Sequence, residues 1–107
     1  MAGAYPKLSV VIPTLNEEAI LYECISHIYK ADPNVEIIIA DGGSTDRTRK
    51  IAVEHGARVC CSEQCRGSQC NAGAALASGD ILIFLHADTK LPEEAISQLK
   101  IIFQDDS

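Results

Sequence analysis

Two apolar runs, each delivering an acid to the point where the run stops, constrain this chain more than any other feature. Ile81-Leu82-Ile83-Phe84-Leu85 leads through His86 and Ala87 to Asp88, and Ile37-Ile38-Ile39-Ala40 leads straight into Asp41-Gly42-Gly43. Short runs that are apolar at every position read as strands buried on both faces, the situation a parallel sheet provides. Ligands of open α/β sheets lie beyond the carboxyl ends of such strands, so Asp41 and Asp88 are expected beside a ligand or a metal. The glycines after Asp41 give the backbone room to turn close to a bound group.

The rest of the chain repeats this alternation of strand and helix. Residues 8–12 form a first strand that Pro13 is expected to stop. A helix follows, with Asn16 as its N-cap, Glu17 and Glu18 in the dipole-favoured first turn, and Ile20, Leu21, Cys24, Ile25 and Ile28 as its inner stripe. Asp32-Pro33-Asn34 breaks it. The strand to Asp41 is followed by a turn and a helix over residues 45–55, with Thr48, Ile51 and Ala52 inward and Gly56 as C-cap. Residues 57–61 read as a third strand, 67–78 as a helix of small residues stopped by Gly79, and 92–103 as a last helix after the strand to Leu85. The pattern predicts an α/β domain: a doubly wound, mainly parallel sheet with helices on both faces.

Composition narrows the function. A chain of 107 residues, 47% hydrophobic and 22% charged, can bury one core, and residues 1–107 are expected to form a single domain. A formal net charge of −6 excludes a protein that coats nucleic acid, whose phosphates need clustered Lys and Arg. A small anionic ligand is compatible with that charge if a divalent cation bridges it to a carboxylate. The start of the chain has no basic and apolar leader, and no apolar run approaches the ~20 residues of a membrane span, so no transmembrane segment and a cytoplasmic location are expected. The five cysteines are odd in number, with Cys60 and Cys61 adjacent, which argues against a disulfide framework. Cys60, Cys61, Cys65 and Cys70 lack the paired spacing of zinc sites and are expected to be small buried residues.

Four strings in order carry a resemblance: Leu8-Ser9-Val10-Val11-Ile12-Pro13-Thr14-Leu15-Asn16-Glu17-Glu18, Asp41-Gly42-Gly43-Ser44-Thr45-Asp46, Arg66-Gly67 with Gln69, Asn71 and Gly73, and Gly79-Asp80 followed by Phe84-Leu85-His86-Ala87-Asp88. Together they resemble the family 2 glycosyltransferases of the GT-A type, over residues 8–103. The subgroup resembled writes the aspartate-x-aspartate motif as His-Ala-Asp. The resemblance implies a Rossmann-like domain that binds a nucleoside-diphosphate sugar of the UDP type. Pro13, Thr14, Leu15 and Glu17 would border base and ribose, and Asp41 would accept a hydrogen bond from uracil. Arg66 and Asn71 would contact the ligand. His86, or the backbone of Ala87, would take the ribose contact that an acid makes elsewhere in the family. Asp88 would hold Mg²⁺ or Mn²⁺ against the diphosphate.

Bland readings stand beside these. Asp41 also suits a cap for the Gly-Gly-Ser-Thr turn, Glu17 a helix-start charge, Arg66 an exposed loop cation, and Asn71 a cap or packing residue. Members of the family are longer, and their second half carries the acceptor site and the general base, so the resemblance implies a truncated chain that is incomplete for transfer. The alternative is a stand-alone nucleotide-binding or regulatory module. A sugar-nucleotide-forming nucleotidyltransferase is disfavoured, because residues 11–16 contain no glycine. The apolar residues Ile96, Leu99, Ile101, Ile102 and Phe103 lie around much of the last helix, and with an open sheet edge they predict a homo-oligomer.

Overall fold

The computed structural model describes residues 7–89. The segments expected to form the last helix and its apolar surface lie outside the described residues. Among the described residues seven elements alternate: β1 (Leu8–Thr14), α1 (Leu21–Ala31), β2 (Glu36–Asp41), α2 (Thr48–Glu54), β3 (Arg58–Cys61), α3 (Arg66–Leu76) and β4 (Ile81–Phe84). The four strands form one parallel sheet in the order β3-β2-β1-β4, with Val11 opposite Ile38 on one side and Phe84 on the other. The chain winds outward from β1 to β3, then returns to add β4 on the other side of β1. The strand order therefore reverses between β1 and β4, and that reversal opens a crevice at the carboxyl ends of these two strands.

Both faces of the sheet carry helices, as the pattern requires. On one face Leu8, Val10, Ile12, Ile37 and Ile39 pack against Leu21, Ile25 and Ile28 of α1 and Ala52 of α2. On the other, Val11, Ile38 and Ala40 pack beneath Leu76 and Ala77 at the end of α3. Gly73 lets α3 approach this closely, because a Cβ there would overlap Val11 Cγ1. A clasp ties the amino ends of the strands. The Glu36 carboxylate accepts from Ser9 Oγ at 2.6 Å, Ser78 N at 2.8 Å and Arg58 Nη1 at 3.0 Å.

Several local expectations are corrected. Pro13 does not stop β1, which runs on to Thr14. Val11 O accepts from Leu85 N on the β4 side and Thr14 O from Gly42 N on the β2 side. By alternation the missing N–H of Pro13 falls on the β4 side, past the last pair of that ladder, so no sheet bond is lost. Asn16 is not the N-cap of α1, which begins at Leu21 without a side-chain cap. It sits at φ 53°, a conformation asparagine tolerates, and its side chain serves another loop. The second helix begins three residues late, because Thr45 N and Asp46 N are held by Asn16 Oδ1 in a turn. Gly56 closes that helix as expected, at φ 85°. The helix expected over 67–78 spans Arg66–Leu76, and Gly79 instead meets β1, donating to Ser9 Oγ at 2.8 Å.

The edge strand β4 is not buried on both faces. Helix α3 packs over β1, β2 and β3, leaving Leu82 and Phe84 of β4 exposed at 38% and 52%. The cysteines are not uniformly buried either: all five are free, Cys24 is buried, Cys60 and Cys70 are half-buried, and Cys61 and Cys65 are exposed. Among the described residues no helix is long and apolar enough to cross a membrane.

Candidate functional site

A cleft of about 260 Å³ opens at the carboxyl ends of β1 and β4, lined by Pro13, Thr14, Leu15, Glu17, Gln64, Cys65, Arg66, Gln69 and His86. Six of these, Pro13, Thr14, Leu15, Glu17, Arg66 and His86, are residues the sequence singled out, drawn together from three separate segments. The wall after β1 is held by a reciprocal clasp with the loop after β2. Asn16 N donates to Ser44 Oγ at 2.8 Å, Glu17 N to Thr48 Oγ1 at 2.9 Å and Glu18 N to Asp46 Oδ2 at 3.2 Å. In return Asn16 Oδ1 accepts from Thr45 N at 2.8 Å, and Glu18 Oε1 from Arg47 N at 2.9 Å. Asp46 adds the role expected of an acid before a helix, accepting from Thr48 N at 2.9 Å.

Asp41 ends β2 behind this wall, fully buried. Its Oδ1 accepts from Ser44 Oγ at 2.5 Å and Thr14 Oγ1 at 2.9 Å, while Oδ2 accepts from Ser44 N at 2.8 Å and Gly43 N at 3.1 Å. Arg49 Nε lies 3.8 Å from Oδ2. Burial alone would raise the pKa of this carboxyl, but the Ser44, Thr14 and Gly43 donors outweigh it and hold it below the ordinary 3.8. The carboxylate thus caps the turn and braces the loop. A nucleobase donor could reach it only by displacing one of these partners.

Gln69 stands in a string that carries the resemblance, which assigns it no role at the site. It is buried, and its Nε2 donates to Thr14 O and Ala40 O, each at 2.9 Å, stapling the ends of β1 and β2 under the cleft. Gly42 makes room for it, since a Cβ there would stand 3.0 Å from the Gln69 amide. A polar residue on the Gly73 side of an otherwise small-residue helix is the signal that could have found it. Gln64 and Cys65, just before α3, complete the lining. At Cys65 the N–H groups of Ser68 and Gly67 lower the thiol pKa.

The far rim is built by α3 and the end of β4. Arg66 Nη2 donates to His86 Nε2, and His86 Nδ1 lies 3.9 Å from Asp88 Oδ1. The Asp88 side chain is 77% exposed, open to a ligand. Burial, then the charges of Asp88 and Glu17, push the Cys24 thiol up to about 11. Ala87 is buried in the α1 core, and Asn71 is exposed on α3 outside the cleft lining. Among the described residues no three His, Cys, Asp or Glu side chains gather as a metal cage. A single open carboxylate does fit Mg²⁺ or Mn²⁺, which keep waters and take further oxygens from phosphates.

A parallel sheet whose order reverses at a cleft, with basic and acidic groups on the rim, defines a Rossmann-like domain of the GT-A type. The Glycosyl transferase family 2 model matches residues 9–106, and the chain belongs to that family. It is 38% identical over 98 residues to a PGL/p-HBAD biosynthesis glycosyltransferase of Mycobacterium bovis (strain BCG / Pasteur 1173P2), covering 84% of this chain and 38% of that protein. It is 37% identical over 98 residues to a glucosyl-3-phosphoglycerate synthase of Mycobacterium tuberculosis (strain ATCC 25618 / H37Rv), covering 81% of this chain and 30% of that one. A crystal structure of the M. tuberculosis synthase with Mn²⁺, uridine diphosphate and glucosyl-3-phosphoglycerate superposes with TM-score 0.69 at 34% identity, over 78% of this chain and 34% of that chain. S. aureus TarS 1-349 shares the fold, with TM-score 0.84 at 24% identity over 92% of this chain and 32% of its own. The chain thus spans 30–38% of the length of these two curated relatives.

Proposed function

We propose that this chain binds a nucleoside-diphosphate sugar of the uridine type in the cleft between β1 and β4, as the donor-binding part of a glycosyltransferase. The observation that carries the reading is the rim. Among the described residues Arg66 is the only Lys or Arg lining the cleft, and Asp88 presents an exposed carboxylate at the end of β4. In this reading Pro13, Thr14, Leu15 and Glu17 border base and ribose. Asp41, through the loop it braces, sets the wall that the base meets. Arg66 takes the diphosphate, Asn71 approaches the ligand from α3, and His86 with the Ala87 backbone lies toward the ribose. Asp88 holds Mg²⁺ or Mn²⁺. When bound, the cation neutralises charge on the diphosphate leaving group. The relative crystallised with both Mn²⁺ and uridine diphosphate supports the assignment.

Acceptor recognition and the general base are assigned to the parts of the relatives that this chain does not match. Residues 1–107, one donor-binding domain, then bind donor without transferring sugar. The free state of all five cysteines supports a reducing, cytoplasmic setting. Exposed Leu82 and Phe84 on an edge strand support self-association. A sedimentation mass of 11.5 kDa at micromolar concentration would remove that last element of the reading.

Titration calorimetry of uridine diphosphate, with Mn²⁺ and with chelator, tests the assignment. Metal is expected to strengthen binding, because the net charge of the chain opposes the ligand until a cation bridges them. Asp88→Asn should abolish the metal-dependent part with the fold intact. Equal affinity in chelator and in Mn²⁺ would remove the role given to Asp88.

A further inference from the structure

Asp41 already accepts four hydrogen bonds, from Thr14, Gly43 and Ser44, so a base lying in the cleft needs another acceptor. Gln69 supplies one. The residue is only 6% exposed, and its Nε2 donates to Thr14 O and Ala40 O, each at 2.9 Å. Carbonyl oxygens only accept, so both amide hydrogens are committed to the strand ends and the amide cannot flip. A Cβ on Gly42 would stand 3.0 Å from Cδ, Nε2 and Oε1 alike, which sets Gly42 against one flat face of the amide and holds it against rotation. Oε1 is the atom left over. Among the described residues it accepts no hydrogen bond, and it is not sealed from solvent. Because Gln69 lines the cleft, that oxygen opens into it. A rigid acceptor in so buried a residue, unanswered by the protein, is prepared for a donor on a ligand.

We propose that Gln69 is a specificity-determining residue that reads the nucleobase, its Oε1 accepting the imide N3–H of uracil. The inference rests on the uridine reading above and deepens it. The Gln69 staple ends on Thr14, one of the residues that border the base in that reading, so the acceptor and the wall form one unit. Uracil presents a single N–H between two carbonyls, whereas cytosine in the same place presents a bare ring nitrogen. Against Oε1 that nitrogen sets acceptor to acceptor and leaves both unpaired. A site that hydrogen-bonds a ligand N–H rejects the analogue lacking it far more strongly than an apolar pocket rejects a change in size. A neutral amide also suits the ligand better than a carboxylate would, since the chain already carries a net charge of −6 and a diphosphate is itself anionic.

Calorimetry of the full chain in Mn²⁺ tests this with four probes: uridine diphosphate, cytidine diphosphate, uridine diphosphate methylated at N3, and inorganic pyrophosphate. The cytidine and N3-methyl compounds are expected to bind about tenfold or more weakly than uridine diphosphate. Gln69→Met removes the acceptor together with the staple, so the preference for uridine over cytidine diphosphate should shrink to within about threefold. A purely structural staple would weaken both nucleotides alike and leave their ratio as in wild type, which overturns the proposal. Should Gln69→Met fail to fold, carbon-13 spectra of the wild-type glutamine side chains decide. The Gln69 Cδ resonance should shift with uridine diphosphate and stay in place with the N3-methyl compound and with pyrophosphate. An unmoved Cδ, or equal shifts with all three, overturns the assignment. If uridine diphosphate outbinds pyrophosphate but the cytidine compound matches it, the donor-binding reading stands and only the role of Gln69 falls. If wild type does not bind uridine diphosphate, both fall.

Discussion

Replacing Asp41 with alanine separates the two roles this acid could have. The carboxylate is fully buried and accepts four hydrogen bonds, from two hydroxyls and two backbone amides, at 2.5–3.1 Å. Deleting it strands the buried hydroxyls of Thr14 and Ser44 and the Ser44 amide, whereas Gly43 is exposed and its amide can turn to water. Each buried donor left without an acceptor costs about 1–3 kcal/mol, and partial opening of the loop recovers some of it, so about 3–5 kcal/mol is expected. That is a large part of the roughly 5–15 kcal/mol that holds a domain folded. Urea unfolding followed by circular dichroism measures it, with a slope of about 1–1.5 kcal/mol/M for a chain this size, giving a midpoint lower by about 2–5 M. Asp41→Asn keeps one acceptor and should cost less. Thr14→Val combined with Asp41→Ala should fall short of the sum of the single losses by about 1 kcal/mol, because the two share one bond. An Asp41→Ala variant that unfolds within about 1 kcal/mol of wild type, yet loses uridine diphosphate binding, would refute the bracing role. The acid would then have to be a direct ligand contact.

Gly73→Ala should destabilise by about 1–3 kcal/mol, since its methyl overlaps Val11 across the α3–β1 contact, and Val11→Ala in the same chain should restore much of the loss. No rescue in the double variant would place the cost elsewhere. For Glu36, burial opposes the charge, but hydrogen bonds from Ser78, Ser9 and Arg58 prevail and lower its pKa from 4.5 to about 2. A depressed carboxyl stabilises fully above its unfolded pKa, so this contribution is present above pH 4.5 and is lost as pH falls through about 2. Discounted for screening at the half-exposed Arg58, it amounts to about 1–3 kcal/mol, and Glu36→Gln should flatten the acid limb of stability over that window. Thiol labelling at pH 7 should modify Cys65 first, because amide donors at the start of α3 favour its thiolate, and Cys24 last, because burial holds its pKa near 11. Bound uridine diphosphate should slow labelling at Cys65, which lines the cleft. Equal rates with and without ligand would put the nucleotide elsewhere.

The strands, their parallel arrangement and the two acids at strand ends were legible in the sequence, because each signal is local. An apolar run, a terminal carboxylate and a following glycine act within a few residues of one another. The family resemblance added the order of the segments and six of the nine residues lining the cleft. What escaped the sequence depends on partners far along the chain. Asn16 looks like a helix cap, but sheet pairing brings it beside Thr45, 29 residues on, where it clasps a second loop. Gln69 shows no partner in its own segment, and its role appears only when α3 settles over the sheet and its amide meets Thr14 O, 55 residues away. Pro13 reads as a stop because the side of the strand that its missing N–H faces cannot be known before the strand order is. Burial of β4 depended on how far α3 reaches across the sheet, which four apolar letters cannot specify. Arg66 and His86 were each singled out, but their pairing, 20 residues apart, exists only where α3 and the end of β4 converge. Hydrophobic patterning chooses elements and faces, whereas hydrogen-bond partners are chosen by register and by the reach of each helix, and these are properties of the assembled sheet.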